Sequence, residues 1–180
     1  IMFSSTLKED LSRRDFTVNA LALGRDGVVY DYFDGTKDLR NKKLRTVGKA
    51  EERFREDALR LFRACRFIGQ LDFMADKSLV RGMAFAFDRV SGLSLERVRE
   101  EVEKLLVSPF AARGLDLLVR TGLNECSCRI RENGRTEAVR ILPELSHLVD
   151  LPQQKKFHKF DGWYHTLAVV NAAPPTLLLR

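Results

Sequence analysis

The chain has 180 residues, 44% of them hydrophobic and 31% charged, the composition of an ordinary globular protein rather than of a disordered or low-complexity one. Its 31 basic and 25 acidic residues leave a net charge of +6, which favours a polyanionic partner. The longest apolar runs are far too short for a membrane span and no signal peptide opens the sequence, so a cytoplasmic protein is expected.

Residues 11–23 are expected to form a helix, with Ser12 as N-cap and Phe16, Ala20 and Leu23 at helical spacing. Gly24 and Asp26-Gly27 make a turn before a short strand at Val28-Val29-Tyr30. Asp34-Gly35 turns into a short polar helix, and residues 44–47 suggest another strand. From about Glu51 the pattern is helical. In residues 56–69, Ala58, Leu61, Phe62, Cys65 and Ile68 fall on one buried stripe. Residues 94–107 repeat the pattern with Leu95, Val98, Val102, Leu105 and Leu106, Ser94 standing as N-cap. Ser108-Pro109 opens the next helix, which carries Phe110, Leu117 and Leu118 and ends near Gly122. Residues 124–136, polar and holding Asn133-Gly134, read as a loop, and helical signals return around 137–149 and 161–172. The expected class is α+β, mostly α-helical.

Cys65, Cys126 and Cys128 make a poor disulfide framework and read as reduced thiols. Cys126 and Cys128 could touch a metal with His147 and His158, but the sequence holds no second CxxC-like pair, and a structural zinc is not expected. Ile1 opens the chain and Arg180 follows an apolar run without a cap, so both ends are expected to be cut.

Three segments carry chemistry together, although each alone reads as an ordinary turn or solvated helix face. They are Arg13-Arg14-Asp15-Phe16-Thr17-Val18-Asn19-Ala20, then Asp31-Tyr32-Phe33-Asp34-Gly35-Thr36-Lys37-Asp38-Leu39, then the run 53–67 with Glu56-Asp57 and Arg60, Arg63 and Arg66. In this order they resemble the motifs RRDFTxNA, DxxxGxxDL and RFxEDxxRxxRxxRF of the template-independent nucleotidyltransferases that include bacterial CCA-adding enzymes and poly(A) polymerases. Glu96-Arg97-Val98-Arg99-Glu100-Glu101 is similar to a later helical motif, and the resemblance covers most of residues 8–121.

On an ideal helix Asp57 would lie one turn before Arg60, with Arg63 and Arg66 on an arc turned from the apolar stripe. A carboxylate beside a guanidinium offers an acceptor next to donors. Cytosine and adenine present an amino group beside a bare ring nitrogen, whereas guanine and uracil present a carbonyl and a ring N–H and would be rejected. The resemblance implies that Asp57 and Arg60 read the base and that Arg63 and Arg66 help hold base or phosphates. It implies that Arg14, Asp15 and Asn19 line the ribose and triphosphate pocket, and that Asp31, Gly35 and Asp38 form a hinge, the glycine letting the backbone turn.

The family's chemistry resembles two-metal catalysis with Mg²⁺ held by an Asp-x-Asp pair. No Asp-x-Asp occurs in the sequence, so those carboxylates are expected upstream of Ile1, with this chain alone inert and no catalytic residue in it. The run His158-Lys159-Phe160-Asp161-Gly162-Trp163-Tyr164-His165-Thr166-Leu167 resembles the opening helix of an HD phosphohydrolase-like domain, with His165 the one candidate first ligand of an incomplete metal site. The implied organisation is the back of a nucleotidyltransferase head at 1–49, a helical neck at 50–123 and the start of an HD-like body at 124–180. The implied function is addition of C and A to tRNA 3′ ends from CTP and ATP. A poly(A) polymerase, an HD-type phosphohydrolase and a non-catalytic RNA-binding module are the rivals.

Overall fold

Thr6 starts the first helix, α1 (Leu7–Ser12), because its hydroxyl accepts from the Glu9 N–H while the Glu9 carboxylate accepts from the Thr6 N–H. The computed structural model describes residues 6–132, 134–152 and 161–177. The helix expected over 11–23 does not form, and Ser12 ends α1 instead of capping a later helix. Asp15 Oδ1 accepts from the Phe16 N–H, and the backbone beyond turns to residues 45–47, with Thr17 N–H to Arg45 O at 2.9 Å and Val47 N–H to Asp15 O at 3.1 Å. Only a 3₁₀ turn, Thr17–Asn19, survives of the helical pattern. Phe16 is fully buried all the same, so apolar spacing there reports burial and not a helix.

The strand β1 (Leu21–Leu23) pairs antiparallel with β2 (Val29–Asp31), and Gly27, at φ 80°, sits in the turn. Next comes α2 (Gly35–Arg40), where the left-handed residue is Asp34, at φ 62°. At Gly35 a Cβ would lie 2.2 Å from the Thr17 carbonyl oxygen, so the missing side chain permits close packing there. A two-residue strand β3 (Lys43–Leu44) pairs in parallel with β4 (Met74–Ala75).

Between them the single helix expected over 56–69 is two, α3 (Ala50–Glu56) and α4 (Leu59–Leu71). Asp57 is extended, and its carboxylate accepts from the Leu59 N–H at 3.0 Å, starting α4 afresh. The stripe nonetheless holds, since Ala58, Leu61, Phe62, Cys65 and Ile68 are all buried. Burying a side chain the size of Leu61 or Phe62 contributes about 1.5–3 kcal/mol.

A short helix α5 (Lys77–Met83) runs into a 3₁₀ segment, Ala84–Gly92, and then α6 (Leu95–Leu106) and α7 (Ala111–Arg120). Ser94 stands at the N-cap of α6 without a side-chain cap bond, and Pro109 precedes α7 instead of opening it. Helices α6 and α7 pack on α4 to form the main core. Gly114 lets α7 approach closely: a Cβ there would meet the Cys65 carbonyl oxygen at 2.3 Å. Gly122, at φ 79°, follows the end of α7.

The loop expected at 124–136 is a 3₁₀ turn, Leu123–Glu125, followed by an antiparallel hairpin of β5 (Ser127–Glu132) and β6 (Arg135–Arg140). Residues 137–140 are therefore strand, and the helical signal after them is a 3₁₀ segment, Pro143–Leu148. The last element, α8 (Gly162–Ala172), starts on an Asp161 cap and buries Trp163, whose indole N–H donates to Asp116 on α7 at 2.9 Å. The fold is α+β and mostly helical, and no helix among the described residues is long and apolar enough to cross a membrane.

Candidate functional site

An open cleft of about 550 Å³ is lined by Arg13, Arg14, Asp15, Asn19, Asp57, Leu59, Arg60, Arg63 and Arg97. Three stretches remote in sequence build it: the turn after α1, the start of α4, and the first turn of α6. Its size suits a small molecule, and its excess of guanidinium groups suits an anionic one.

Asp15 ties the first stretch to the second. Its Oδ1 accepts from the Phe16 N–H and the Asn19 amide, and its Oδ2 accepts from Arg63 Nε and Nη2 at 2.8 and 2.6 Å. Burial pushes this carboxyl up, but the donors from Asn19 and Arg63 outweigh it and hold the group below the ordinary carboxylate value. Arg14 turns one Nη1–H onto the Asn19 carbonyl oxygen at 3.0 Å.

Arg60 reaches back instead of across. Nη1 donates to the Arg53 carbonyl oxygen and to Glu56, and Nη2 to the Arg13 carbonyl oxygen at 3.0 Å. Of the five N–H groups of a guanidinium, the Nε–H and one Nη2–H have no partner among the described residues. Asp57 does not stack on Arg60 by helical spacing, because the break at 57 turns its free oxygen toward Arg97, 3.8 Å away. Both side chains still line the same cleft.

Arg66 is placed elsewhere. Its Nε donates to the buried Glu101 on α6 at 2.6 Å, and its guanidinium lies 4.4 Å from the centre of the Phe67 ring. Arg63 approaches the same Glu101 at 3.9 Å, so one carboxylate couples both arginines. Arg13, Leu59 and Arg97 enter the cleft without having been expected there; the run from Glu96 to Glu101 held the only sequence signal for Arg97.

The three residues expected as a hinge are firmly bonded. Asp31 accepts from the backbone N–H groups of Phe33, Gly35 and Thr36 and from the Thr36 hydroxyl; burial raises its carboxyl, and these donors more than offset it. The buried Asp38 accepts from the Thr17 hydroxyl at 2.6 Å and from Arg45 at 2.9 Å. With Asp31 and Asp15 so engaged, and no cluster of three His, Cys, Asp or Glu side chains among the described residues, the residues present do not fit a magnesium centre. His165 is exposed on α8 and stands in no such cluster, while His158 lies outside the described residues.

Residues 1–45 match the poly A polymerase head domain, and residues 72–126 match a domain described as the probable RNA and SrmB-binding site of polymerase A. The CCA-adding enzyme of Lactobacillus johnsonii is 40% identical over 183 residues, covering 94% of this chain and 46% of that protein. The CCA-adding enzyme of Enterococcus faecalis is 37% identical over 180 residues, covering 100% of this chain and 42% of that protein. Among solved structures, the Bacillus stearothermophilus CCA-adding enzyme in complex with CTP is 47% identical with a TM-score of 0.66, over 68% of this chain and 31% of that one. A CCA-adding enzyme in complex with ATP is 29% identical with a TM-score of 0.60, over 67% of this chain and 30% of that one. The chain thus spans less than half the length of these relatives.

Proposed function

The chain belongs to the superfamily of CCA-adding enzymes and bacterial poly(A) polymerases, and from that membership we propose that its cleft selects CTP and ATP for template-independent addition to tRNA 3′ ends. The observation that carries this reading is the convergence of Arg13, Arg14, Arg60, Arg63 and Arg97 with Asp57 and Asn19 on one cleft. Arg60 has two N–H groups to spend on the bare ring nitrogen of cytosine or adenine, and Asp57 has an oxygen for the amino group beside it. A guanine or uracil edge would set a carbonyl against that carboxylate. Arg14, Asp15 and Asn19 flank the ribose and triphosphate, and Arg63 holds Asp15 in place for them. In this reading Arg66 acts through Glu101 and Phe67, outside the cleft.

Mg²⁺ is the cofactor proposed for the whole activity, held by carboxylates other than those of the described residues. We place the head at 1–49, the neck at 50–123 and the HD-like body at 124–180, with Asp31, Gly35 and Asp38 at the hinge and His165 as first ligand of any HD-type site. RNA is held through its phosphates, with salt-sensitive affinity.

The test uses the full-length protein, tRNA lacking its 3′ end, Mg²⁺ and each of the four nucleotides. Addition of C and A with little U or G is expected. Long runs of A without C would favour the poly(A) polymerase reading, and no extension at all would overturn both.

A further inference from the structure

The hairpin of β5 and β6 begins one residue beyond the stretch that matches the RNA-binding domain. Its register pairs Ser127 with Arg140, Arg129 with Ala138, and Arg131 with Thr136. Cross-strand partners share a face, so Arg129, Arg131 and Arg140 lie together among small or hydroxyl side chains. Glu132, Arg135 and Glu137 fall on the other face, with Cys128, Ile130 and Val139, of which Cys128 is buried. The sequence of the hairpin alternates, and the alternation sorts its charges: the carboxylates go to one side and three of the four arginines to the other.

The free edge of β5 lies beside the segment that leads into α6. The Arg129 N–H donates to the Leu93 carbonyl oxygen at 2.9 Å, and Arg129, Arg131 and Thr136 line a hollow of about 270 Å³ with Ser94 and Glu96. The next residue, Arg97, lines the cleft. Arg140 approaches Glu125 at 3.7 Å, whereas Arg129 and Arg131, both exposed, form no ion pair with any described residue. Residues two apart on a strand are separated by about 6.6 Å, so each guanidinium can meet an anionic group of its own. A face of arginines with Ser, Thr and Ala offers no large apolar anchor to a protein partner, and arginine suits bidentate contact with phosphate.

We propose that Arg129 and Arg131 are a contact for the RNA backbone leading to the 3′ end in the cleft. This rests on the reading of the cleft given above and extends it to a surface outside both matched domains. Glu96, the one carboxylate in the hollow, opposes the contact and sets its strength.

The experiment measures binding of tRNA lacking its 3′ end to the full-length protein over a range of salt. In Arg129→Ala/Arg131→Ala the affinity near 0.1 M salt should fall about tenfold, and the slope of log affinity against log salt should flatten by about two units. Arg129→Lys/Arg131→Lys should keep most of the slope, and Glu96→Gln should bind more tightly than the wild type. The KM for CTP should not move, and melting temperatures should match. Wild-type affinity and slope in the double Ala variant would overturn the proposal, as would loss of binding to an acidic peptide with tRNA binding intact. A wild-type protein that fails to bind tRNA would instead overturn the reading of the cleft.

Discussion

Arg63 on α4 closes on Asp15 at 2.6 Å, across 48 residues of sequence. That contact joins the turn before β1 to the helix on which Arg60 stands, and so fixes one wall of the cleft against the other. Behind it Glu101 of α6 receives Arg66 at 2.6 Å and Arg63 at 3.9 Å. The cleft's walls are therefore joined by alternating charges, with Phe67 lying against both arginines.

Removing one member should expose the other. Arg63→Ala leaves the Asp15 carboxylate buried with only Phe16 and Asn19 donating to it. Breaking a buried pair from one side costs about 3–5 kcal/mol, and the two remaining donors put the expected loss at the lower end, about 3 kcal/mol. Adding Asp15→Asn to that variant should recover part of it. Denaturant unfolding checks both steps, and a loss under about 1 kcal/mol would mark the pair as a solvated one.

Acid should act through the same carboxylate and two others. The carboxyls of Asp15, Asp31 and Asp76 all lie below their ordinary value. In each, burial pushes up and is outweighed by donors: Asn19 and Arg63 for Asp15, Thr36 for Asp31, and Lys43 and Ser78 for Asp76. A carboxyl depressed on folding stabilises the fold fully above its unfolded value of about 3.9 and loses that contribution as pH falls through the folded value. Stability should thus be flat from pH 7 to about 5 and drop below about 4. Thermal melts across that range check it, and Asp15→Asn should make the drop shallower.

Packing predicts a contrast between two glycines. A Cβ at Gly114 would meet the Cys65 carbonyl oxygen at 2.3 Å and a Leu105 methyl at 2.4 Å, while one at Gly92 would meet nothing within 4 Å. Gly114→Ala should force α7 off α4 and cost about 1–3 kcal/mol. Gly92→Ala should change stability by less than about 0.5 kcal/mol. Equal melting temperatures for the two variants would refute the close approach.

What could be read from the sequence divides along physical lines. The stripe from Ala58 to Ile68 was legible because burial repeats at helical spacing whether or not the helix starts where the pattern does. The break at Asp57 was not, since it depends on a short carboxylate capturing the Leu59 N–H. The hairpin at 127–140 is mostly exposed, so its alternation is carried by Cys128, Ile130 and Val139 among charges, and the Asn133-Gly134 pair was the one hairpin signal. Arg60, Arg63 and Arg66 look equivalent by spacing; Glu101, brought in from α6, draws the last of them out of the cleft.

Base choice is the sharpest consequence, and the geometry alters how it must be tested. Arg60 is held by Glu56 and the Arg53 and Arg13 carbonyl oxygens, so its Ala variant loses both a wall of the cleft and the donors to the base. A lost charge-assisted hydrogen bond costs roughly 1.5–3 kcal/mol, so incorporation of C and A alike should fall by about one to two orders of magnitude. Asp57→Ala should differ, because it removes the acceptor for the amino group together with the repulsion against a carbonyl. Discrimination against UTP and GTP should then weaken as use of CTP and ATP falls. Asp57→Asn separates the two effects: it still caps the Leu59 N–H, yet it offers an amide N–H to a carbonyl base edge and should raise UTP or GTP use further. Arg97, 3.8 Å from Asp57 and half exposed, should matter less, its Ala variant loosening selectivity without abolishing it. The measurement is incorporation efficiency for all four nucleotides in the full-length protein, with folding checked by melting. If Arg60→Ala and Asp57→Asn fold and keep wild-type selectivity, the cleft holds a nucleotide without reading its base.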